Sequence, residues 1–175
     1  MRQLFKIFLL AVMLNVQCSM FNGLSAQTLN VKVGNVTYQF PAAQTGDMTY
    51  NDGTSLTIMG KTFTLSDIDA MTVDDSEVED NMVNVVYDGT TANIMIAGNV
   101  AQYVETTASD AHVTISQTNT AAVDDDDITY ALSGTSTDGS FTLGGSYKCT
   151  VSLAGTTESN TSGAAINITN SKRIQ

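Results

Sequence analysis

The sequence predicts an all-β protein, and three observations carry this prediction. Helix-forming patterns are almost absent beyond Ala26, where Thr, Ser, Val, Asn, Gly and Asp dominate. Short runs that alternate apolar and polar residues recur along the chain, and turn residues separate them. The C-terminal part also repeats itself weakly, and the interval between the echoing segments is typical of stacked β-coils.

The segment 1–26 is predicted to be a signal peptide. Arg2 and Lys6 precede the apolar run Ile7–Val16, which is too short to span a bilayer as a helix. Small residues follow, and cleavage after Ala26 would release the mature chain. Lipoprotein processing at Cys18 is the alternative, but a glutamine stands before this cysteine where such sites have a small residue. We therefore expect an exported protein that is secreted or held at the cell surface.

The charge balance excludes some partners. The chain has 7 Lys and Arg against 18 Asp and Glu, and loss of the leader would remove two of the basic residues. Phosphate binding needs a basic surface, so neither nucleic acid nor an anionic membrane is an expected partner of the mature chain. One cysteine, Cys149, follows the leader, so an internal disulfide is excluded and a small core residue is expected there.

The segment 27–118 is predicted to form an N-terminal β-rich module that starts as an antiparallel meander. Asp52-Gly53 predicts a tight turn inside the meander, and Pro41 ends its second strand. Leu65–Met71 is the only predicted helical turn, with Ser66 as its cap. The five predicted strands of the meander lie at positions 29–33, 36–40, 48–50, 55–59 and 62–65.

A hairpin is predicted after the meander. Its strands lie at positions 82–88 and 91–98, joined through Asp88-Gly89-Thr90, and the acidic loop 73–81 precedes it. Two further strands are expected at positions 101–105 and 112–117. The module fits either one small β domain or two packed units.

The segment 119–175 changes in character and partly repeats itself. Short strands alternate with Gly, Ser and Thr corners, and Ala131–Gly134 is echoed further along by Ser152–Gly155. The interval between these echoes suits one coil of a parallel β-helix. A sandwich-like β domain is the alternative, because Ser/Gly/Thr-rich strands also match one another by chance.

Four short motifs in this segment resemble a known family. They are Leu-Ser-Gly at 132–134, Thr-Asp-Gly at 137–139, Leu-Ala-Gly at 153–155 and Gly-Ala-Ala-Ile at 163–166. In this combination they resemble the opening of a family of secreted bacterial carbohydrate-binding proteins, which are pectate-lyase-like but not catalytic. The resemblance implies that the meander leads into the first coils of a right-handed parallel β-helix, and it implies a polysaccharide ligand.

The segment also departs from that family. Thr156, Thr157 and Glu158 stand where the family buries aliphatic side chains, and barely two coils precede Gln175. We therefore expect a truncated β-helix. Further coils or another chain would cover its C-terminal edge.

Candidate sugar contacts follow from the repeat. Tyr147 and Lys148, with Lys172 and Arg173 one coil later, are expected to line one face that meets an acidic sugar. Tyr130 is the other aromatic residue of this segment that is a candidate. The alternative is that Tyr147, Lys148, Lys172 and Arg173 lie on exposed corners that bind no ligand.

The run of four aspartates is a candidate for calcium. Carboxylates and carbonyl oxygens are the ligands that calcium prefers. Side chains of consecutive strand residues alternate in direction, however, so only a loop would bring two of them to one ion, and a solvated acidic loop is the alternative. The candidate metal ligands are Asp124, Asp125, Asp126 and Asp127.

Catalysis is not expected. His112 is the only histidine, no G-x-S-x-G nucleophile elbow is present, and acidic residues are too abundant for any pair to be informative. Together with this inventory, the resemblance implies an exported, non-catalytic carbohydrate-binding protein for acidic polysaccharides, assisted by calcium. A structural or adhesive β-solenoid of the cell surface is the alternative, and a pectate-lyase-like enzyme is a third.

Overall fold

The computed structural model describes residues 27–46 and 48–170, together with Lys172 and Ile174. The predicted signal peptide and Arg173 lie outside the described residues. The described part consists of β-strands, turns and two one-turn 3-10 helices, which confirms the all-β prediction. None of its segments is a helix with the length and hydropathy that a membrane crossing requires.

The strands begin and end as follows in chain order: β1 Thr28–Val33, β2 Val36–Pro41, β3 Thr49–Asn51, β4 Ser55–Ile58, β5 Lys61–Thr64, β6 Ala70–Asp74, β7 Met82–Gly89, β8 Thr91–Ala97, β9 Val104–Ser109, β10 His112–Gln117, β11 Ile128–Ser136, β12 Ser140–Gly145, β13 Cys149–Leu153, β14 Thr157–Glu158 and β15 Ile166–Ile168. The 3-10 helices are Ala42–Gln44 and Ala101–Tyr103.

The largest sheet is mixed and runs in the order β13-β11-β7-β8-β2-β1-β6, with β14 also paired to β11. Its antiparallel pairs are the local ones, β1 with β2 and β7 with β8, and also β1 with β6. Its parallel pairs join strands that are distant in sequence, β2 with β8, β7 with β11 and β11 with β13. A second sheet runs β15-β12-β10-β9, and the predicted meander strands β3, β4 and β5 form a small antiparallel sheet of their own.

From β11 onward the chain passes between the two larger sheets: β11, β13 and β14 belong to the largest sheet, and β12 and β15 belong to the second. Each of these strands pairs in parallel with an earlier one. Ile128 on β11 lies opposite Cys149 on β13, and Phe141 on β12 lies opposite Ile166 on β15. A parallel bridge likewise joins Cys149 to Ile174. The segments that echo each other in sequence therefore lie side by side.

Strand alternation explains which side chains are buried. Ile128, Tyr130 and Leu132 occupy every second position of β11 and are fully buried, while Thr129 and Ala131 between them are partly exposed. Phe141 and Leu143 do the same on β12. Together with the buried residues of the N-terminal strands, these side chains form one hydrophobic cluster.

One detail of the N-terminal part differs from the sequence prediction. The segment Leu65–Met71 is not a helical turn: a hydrogen-bonded turn at Leu65–Asp67 leads directly into β6. The edge of β1 accounts for this, because the Asp69 amide donates to the Lys32 carbonyl oxygen and Ala70 then pairs with Lys32. Strands of the two predicted segments share sheets. β7 and β10 of the segment 27–118 pair with β11 and β12 of the segment 119–175.

Candidate functional site

A surface cleft of about 410 Å³ collects three of the residues that the repeat singled out. Its lining is formed by Thr120, Ser146, Tyr147, Lys148 and Lys172, and we call it the cationic cleft. Tyr147 and Lys148 lie on the corner between β12 and β13, while Lys172 lies on the stretch that follows β15. Because Cys149 pairs with Ile174, Lys172 falls beside Tyr147 rather than beside Lys148. The repeat is therefore one position longer here than the sequence echo predicted.

Stacked side-chain amides shape the corner under the cationic cleft. Gln117 lies opposite Gly145 at the ends of β10 and β12, and Asn170 follows β15 at the corresponding place. Gln117 donates from Nε2 to the Lys148 carbonyl oxygen at 3.3 Å, and Asn170 donates from Nδ2 to the Tyr147 carbonyl oxygen at 2.7 Å. The Oδ1 atom of Asn170 also accepts the Lys172 amide at 2.9 Å. One asparagine thus fixes the backbone on both sides of the cleft.

Gly145 permits this stacking. A Cβ atom at this position would lie 2.9 Å from Cβ of Gln117 and 3.4 Å from Nδ2 of Asn170. Side-chain atoms of the two amides already fill the space on both sides of Gly145. A larger residue would push the corner outward and disturb the cleft.

The cationic cleft keeps positive charge on a strongly acidic protein. The Lys148 ammonium lies 3.1 Å from Oδ1 of Asp127 and 5.8 Å from the ring centroid of Tyr147. The hydrogen bond and the charge of Asp127 raise the pKa of Lys148 above its ordinary value, so the side chain stays protonated through neutral pH. Half of the Lys148 side chain remains exposed, and Lys172 is exposed as well.

Tyr130 does not belong to this surface. It is fully buried, and its hydroxyl donates to Oε1 of Gln117 at 3.0 Å. Burial raises its pKa. Its prediction as a sugar contact was wrong, because Tyr130 alternates in phase with the apolar residues Ile128 and Leu132 and points into the interior with them. The same alternation is visible in the sequence. Tyr130 instead supports Gln117 beneath the cleft.

The four aspartates do not converge on one point. Asp124 and Asp125 have φ values of 49° and 67° between the bridged residues Val123 and Asp126, which is the pattern of a type I′ turn. The turn spreads the side chains: Asp124 accepts from Nδ2 of Asn99 at 2.9 Å, and Asp127 pairs with Lys148. Asp126 accepts the amide of Asp127 at 2.7 Å. The residues that the structure describes contain no group of three or more potential metal ligands. The four aspartates therefore do not form a common ligand set for calcium.

Of the residues that catalysis could recruit, His112 lies away from the cationic cleft, and Cys149 is buried next to Lys148. His112 contacts Ser140, with Nδ1 at 3.0 Å from Oγ, near the opposite end of β10. Cys149 is buried, and this burial raises the pKa of its thiol. A thiolate is therefore not favoured, in agreement with the small core residue expected from the sequence.

Glu158 lies on the short strand β14. It pairs with Ser136 on β11, and both carboxylate oxygens are inaccessible to solvent without a hydrogen-bond partner. Burial raises the pKa of Glu158, and the nearby Tyr87 hydroxyl and His112 offset this only in part. The Oγ atom of the fully buried Ser136 is also unpartnered.

Chemically, the cationic cleft offers two ammonium groups, an aromatic ring and two hydroxyl side chains within one concave surface. An anionic ring with hydroxyl groups matches this set, because an ammonium pairs with a carboxylate and an aromatic face packs on an apolar ring face. Sequence reasoning missed Thr120, Ser146 and the supporting Asn170. The sequence echo sets Asn170 opposite Ser146, one position away from Gly145, so it gave no signal for the supporting role of Asn170.

Comparison with known proteins adds no relative to this description. No protein-family model matches the chain, and no curated protein or solved structure matches it at a significant level.

Proposed function

We propose that this protein is an exported, non-catalytic carbohydrate-binding protein that holds acidic polysaccharides in the cationic cleft. One observation carries the proposal: Tyr147, Lys148 and Lys172 share a single cleft. The sequence echo alone predicts that these residues meet across one coil. Their juxtaposition on one concave surface supports a common binding role.

Electrostatics favour an acidic rather than a neutral ligand for this cleft. The chain carries a net charge of −11, and most of the surface therefore repels a polyanion. Two of the few lysines lie together at the cleft, and Lys148 is held in place by Asp127. A polyanion would be attracted to this local patch and would be oriented by repulsion elsewhere.

We infer that β11 to β15 are the first coils of a right-handed parallel β-helix. The parallel register of β11 with β13 and of β12 with β15 supports this, as does the placement of β12 and β15 in a different sheet from β11, β13 and β14. In such a solenoid, equivalent corner residues stack along one face. A polysaccharide would then lie along the stacked corners that carry the cationic cleft.

A structural or adhesive role at the cell surface is the second candidate. The observation that favours it is the apolar character of the last strands, where Leu153 is 60% exposed and Ile168 is 36% exposed. Their neighbours one coil earlier, Leu132 and Leu143, are fully buried. A further coil or another chain that pairs with β13 and β15 would cover these side chains.

Native affinity electrophoresis tests the proposed function. The acidic protein is run through gels that contain polygalacturonate, with and without a chelator of divalent cations. We expect retardation by polygalacturonate, no release of new reducing ends from the polymer, and a smaller retardation in the presence of neutral galactomannan. Equal mobility in all gels would reject the glycan-binding role and favour the structural one. A loss of retardation with the chelator would show that a cation participates.

A further inference from the structure

A second cleft of about 380 Å³ is also lined by residues of the loop 118–127, which contributes Thr120 to the cationic cleft. Its lining includes Met59, Asn99, Gln102, Tyr103 and Asp124, and we call it the amide cleft. Thr120 lines the cationic cleft and Ala122 lines the amide cleft. These two residues span at most about 7 Å of chain, so the clefts are neighbours.

Two tight turns form the walls of the amide cleft. One wall is the turn between β4 and β5, in which Met59 and Gly60 have φ values of 46° and 82°. The other is the turn at Asp124 and Asp125. The 3-10 helix Ala101–Tyr103 supplies Gln102 and Tyr103 between them. A left-handed conformation is uncommon for a residue as large as methionine, and here it brings an apolar side chain to the cleft wall.

Gly60 gives the Gln102 side chain its place. A Cβ atom on Gly60 would lie 2.5 Å from Oε1 of Gln102, so a side chain there would displace this amide, and the φ of +82° favours glycine. The backbone of Tyr103 is fixed by two hydrogen bonds. Its carbonyl oxygen accepts the Thr118 backbone amide at 2.9 Å, and its own amide donates to the Val100 carbonyl oxygen at 2.9 Å. Its side chain remains partly exposed.

The carboxylate of Asp124 is oriented before any ligand arrives. Asn99 donates from Nδ2 to Oδ2 of Asp124 at 2.9 Å and to Oδ1 of Asn81 at 2.6 Å, which uses both of its amide protons. The Oδ1 atom of Asn99 accepts the Asn81 amide at 3.1 Å. Asn99 is 8% exposed, so this network is part of the fold. The remaining oxygen of the exposed Asp124 can accept a hydrogen bond.

We propose that the amide cleft is a second sugar subsite that takes a neutral sugar unit. A fixed carboxylate acceptor, an exposed amide with both donor and acceptor atoms, and a partly exposed aromatic ring match the hydroxyl groups and the apolar face of a pyranose. The lining contains a carboxylate and no cationic side chain among the described residues, so a uronate would be repelled. Its position next to the cationic cleft favours a polymer in which acidic and neutral sugars alternate.

This subsite rests on the proposed glycan-binding function and extends it, and the experiment separates the two. Affinity electrophoresis compares a rhamnogalacturonan backbone, in which acidic and neutral sugars alternate, with polygalacturonate. Tyr103→Ala and Asp124→Asn are the test variants. Tyr50→Ala is the matched aromatic control, because Tyr50 is exposed on β3. Asp110→Asn is the matched control for a left-handed aspartate, since its φ is 55°.

We expect the wild-type protein to bind the alternating polymer more tightly than polygalacturonate, and each test variant to lose about tenfold on the alternating polymer alone. If both test variants bind both polymers like the wild-type protein, the neutral subsite is wrong while the proposed function stands. If the wild-type protein binds neither polymer, a titration with neutral disaccharides followed by NMR decides the matter. Shifts of the Gln102 side-chain amide that disappear in Tyr103→Ala would support the subsite, and the absence of shifts would reject it.

Discussion

Asn170 donates a 2.7 Å hydrogen bond from its side chain to the backbone carbonyl oxygen of Tyr147, on the corner between β12 and β13. The same side chain lies 3.6 Å from the Cys149 sulfur and accepts the Lys172 amide. The stretch that follows β15 is therefore tied to this corner at the point where the cationic cleft opens. We therefore expect both the stability of the protein and its ligand binding to depend on Asn170.

The substitution Asn170→Ala should lower both the stability of the protein and its affinity for polygalacturonate. Loss of the bond to Tyr147 is expected to cost about 1 kcal/mol in the free energy of unfolding, and the released corner should weaken binding of polygalacturonate. Urea denaturation and affinity electrophoresis measure the two effects. Asn167→Ala is the matched control, because Asn167 is exposed on β15. An Asn170→Ala protein with wild-type stability and binding would contradict the role assigned to this residue.

The pairing of β7 with β11 should make Gly134 intolerant of any side chain. Gly134 has a φ of +83°, and a Cβ atom there would collide with the carbonyl oxygen of Tyr87. Gly89 has a φ of +67° but open space around it. Gly89→Ala therefore measures backbone strain alone, at about 1 kcal/mol, whereas Gly134→Ala should cost about 3 kcal/mol or more.

Denaturation of both glycine variants decides this point. Equal losses of stability would mean that β7 and β11 do not approach as closely as described. The comparison is informative because both residues require a left-handed backbone, so the difference between them reports the contact across the sheet.

Glu158 should make stability fall as pH rises. Burial raises its folded-state pKa above that of the unfolded chain, so its contribution favours folding while the carboxyl is protonated. That contribution is present below the unfolded-state pKa and is lost as pH rises through the folded-state pKa. Glu158→Gln removes the charge and should raise the melting temperature at pH about 8, but leave it unchanged near pH about 4.

Thermal melts across this pH range check the expectation, with Glu79→Gln as the control because Glu79 is exposed. If Glu158→Gln is no more stable than the wild-type protein at the higher pH, the carboxylate is not desolvated as described. The neighbours Tyr87 and His112 would then offset the cost of burial fully.

The sequence predicted the strands that local patterns specify. The hairpin of β7 and β8 joins two largely apolar runs through Asp88-Gly89-Thr90, and β1 to β5 are bounded by glycine, proline or aspartate. The strand β6 was missed because Ser66 resembles a helix cap. Pairing with the free edge of β1 outweighed that local preference.

Pairing between strands that are distant in the chain could not be predicted from local sequence patterns. Nothing near β7 indicates that its parallel partner is β11, with three other strands between them in the chain. The repeat did indicate that β11 pairs with β13, because equivalent corners carry similar residues. For the candidate site, the repeat indicated that Tyr147, Lys148 and Lys172 lie together, whereas Tyr130 is buried because it shares the phase of its apolar neighbours on β11.

The amide cleft could not be predicted from the sequence. Met59, Gln102 and Asp124 come from two turns and a 3-10 helix that are far apart in the chain. Their approach depends on how the small sheet of β3, β4 and β5 packs beside the loop at 118–127. No local signal reports that packing.

Binding of a galacturonate oligomer to a Lys148→Ala, Lys172→Ala double variant tests the central claim most directly. Calorimetry should show an affinity at least about tenfold lower than that of the wild-type protein, because two charged hydrogen bonds are lost. Lys32→Ala is the matched control, since Lys32 is exposed on β1 and lines neither cleft. An unchanged dissociation constant in the double variant, or an equal loss in Lys32→Ala, would contradict the assignment of the cationic cleft as the glycan-binding site.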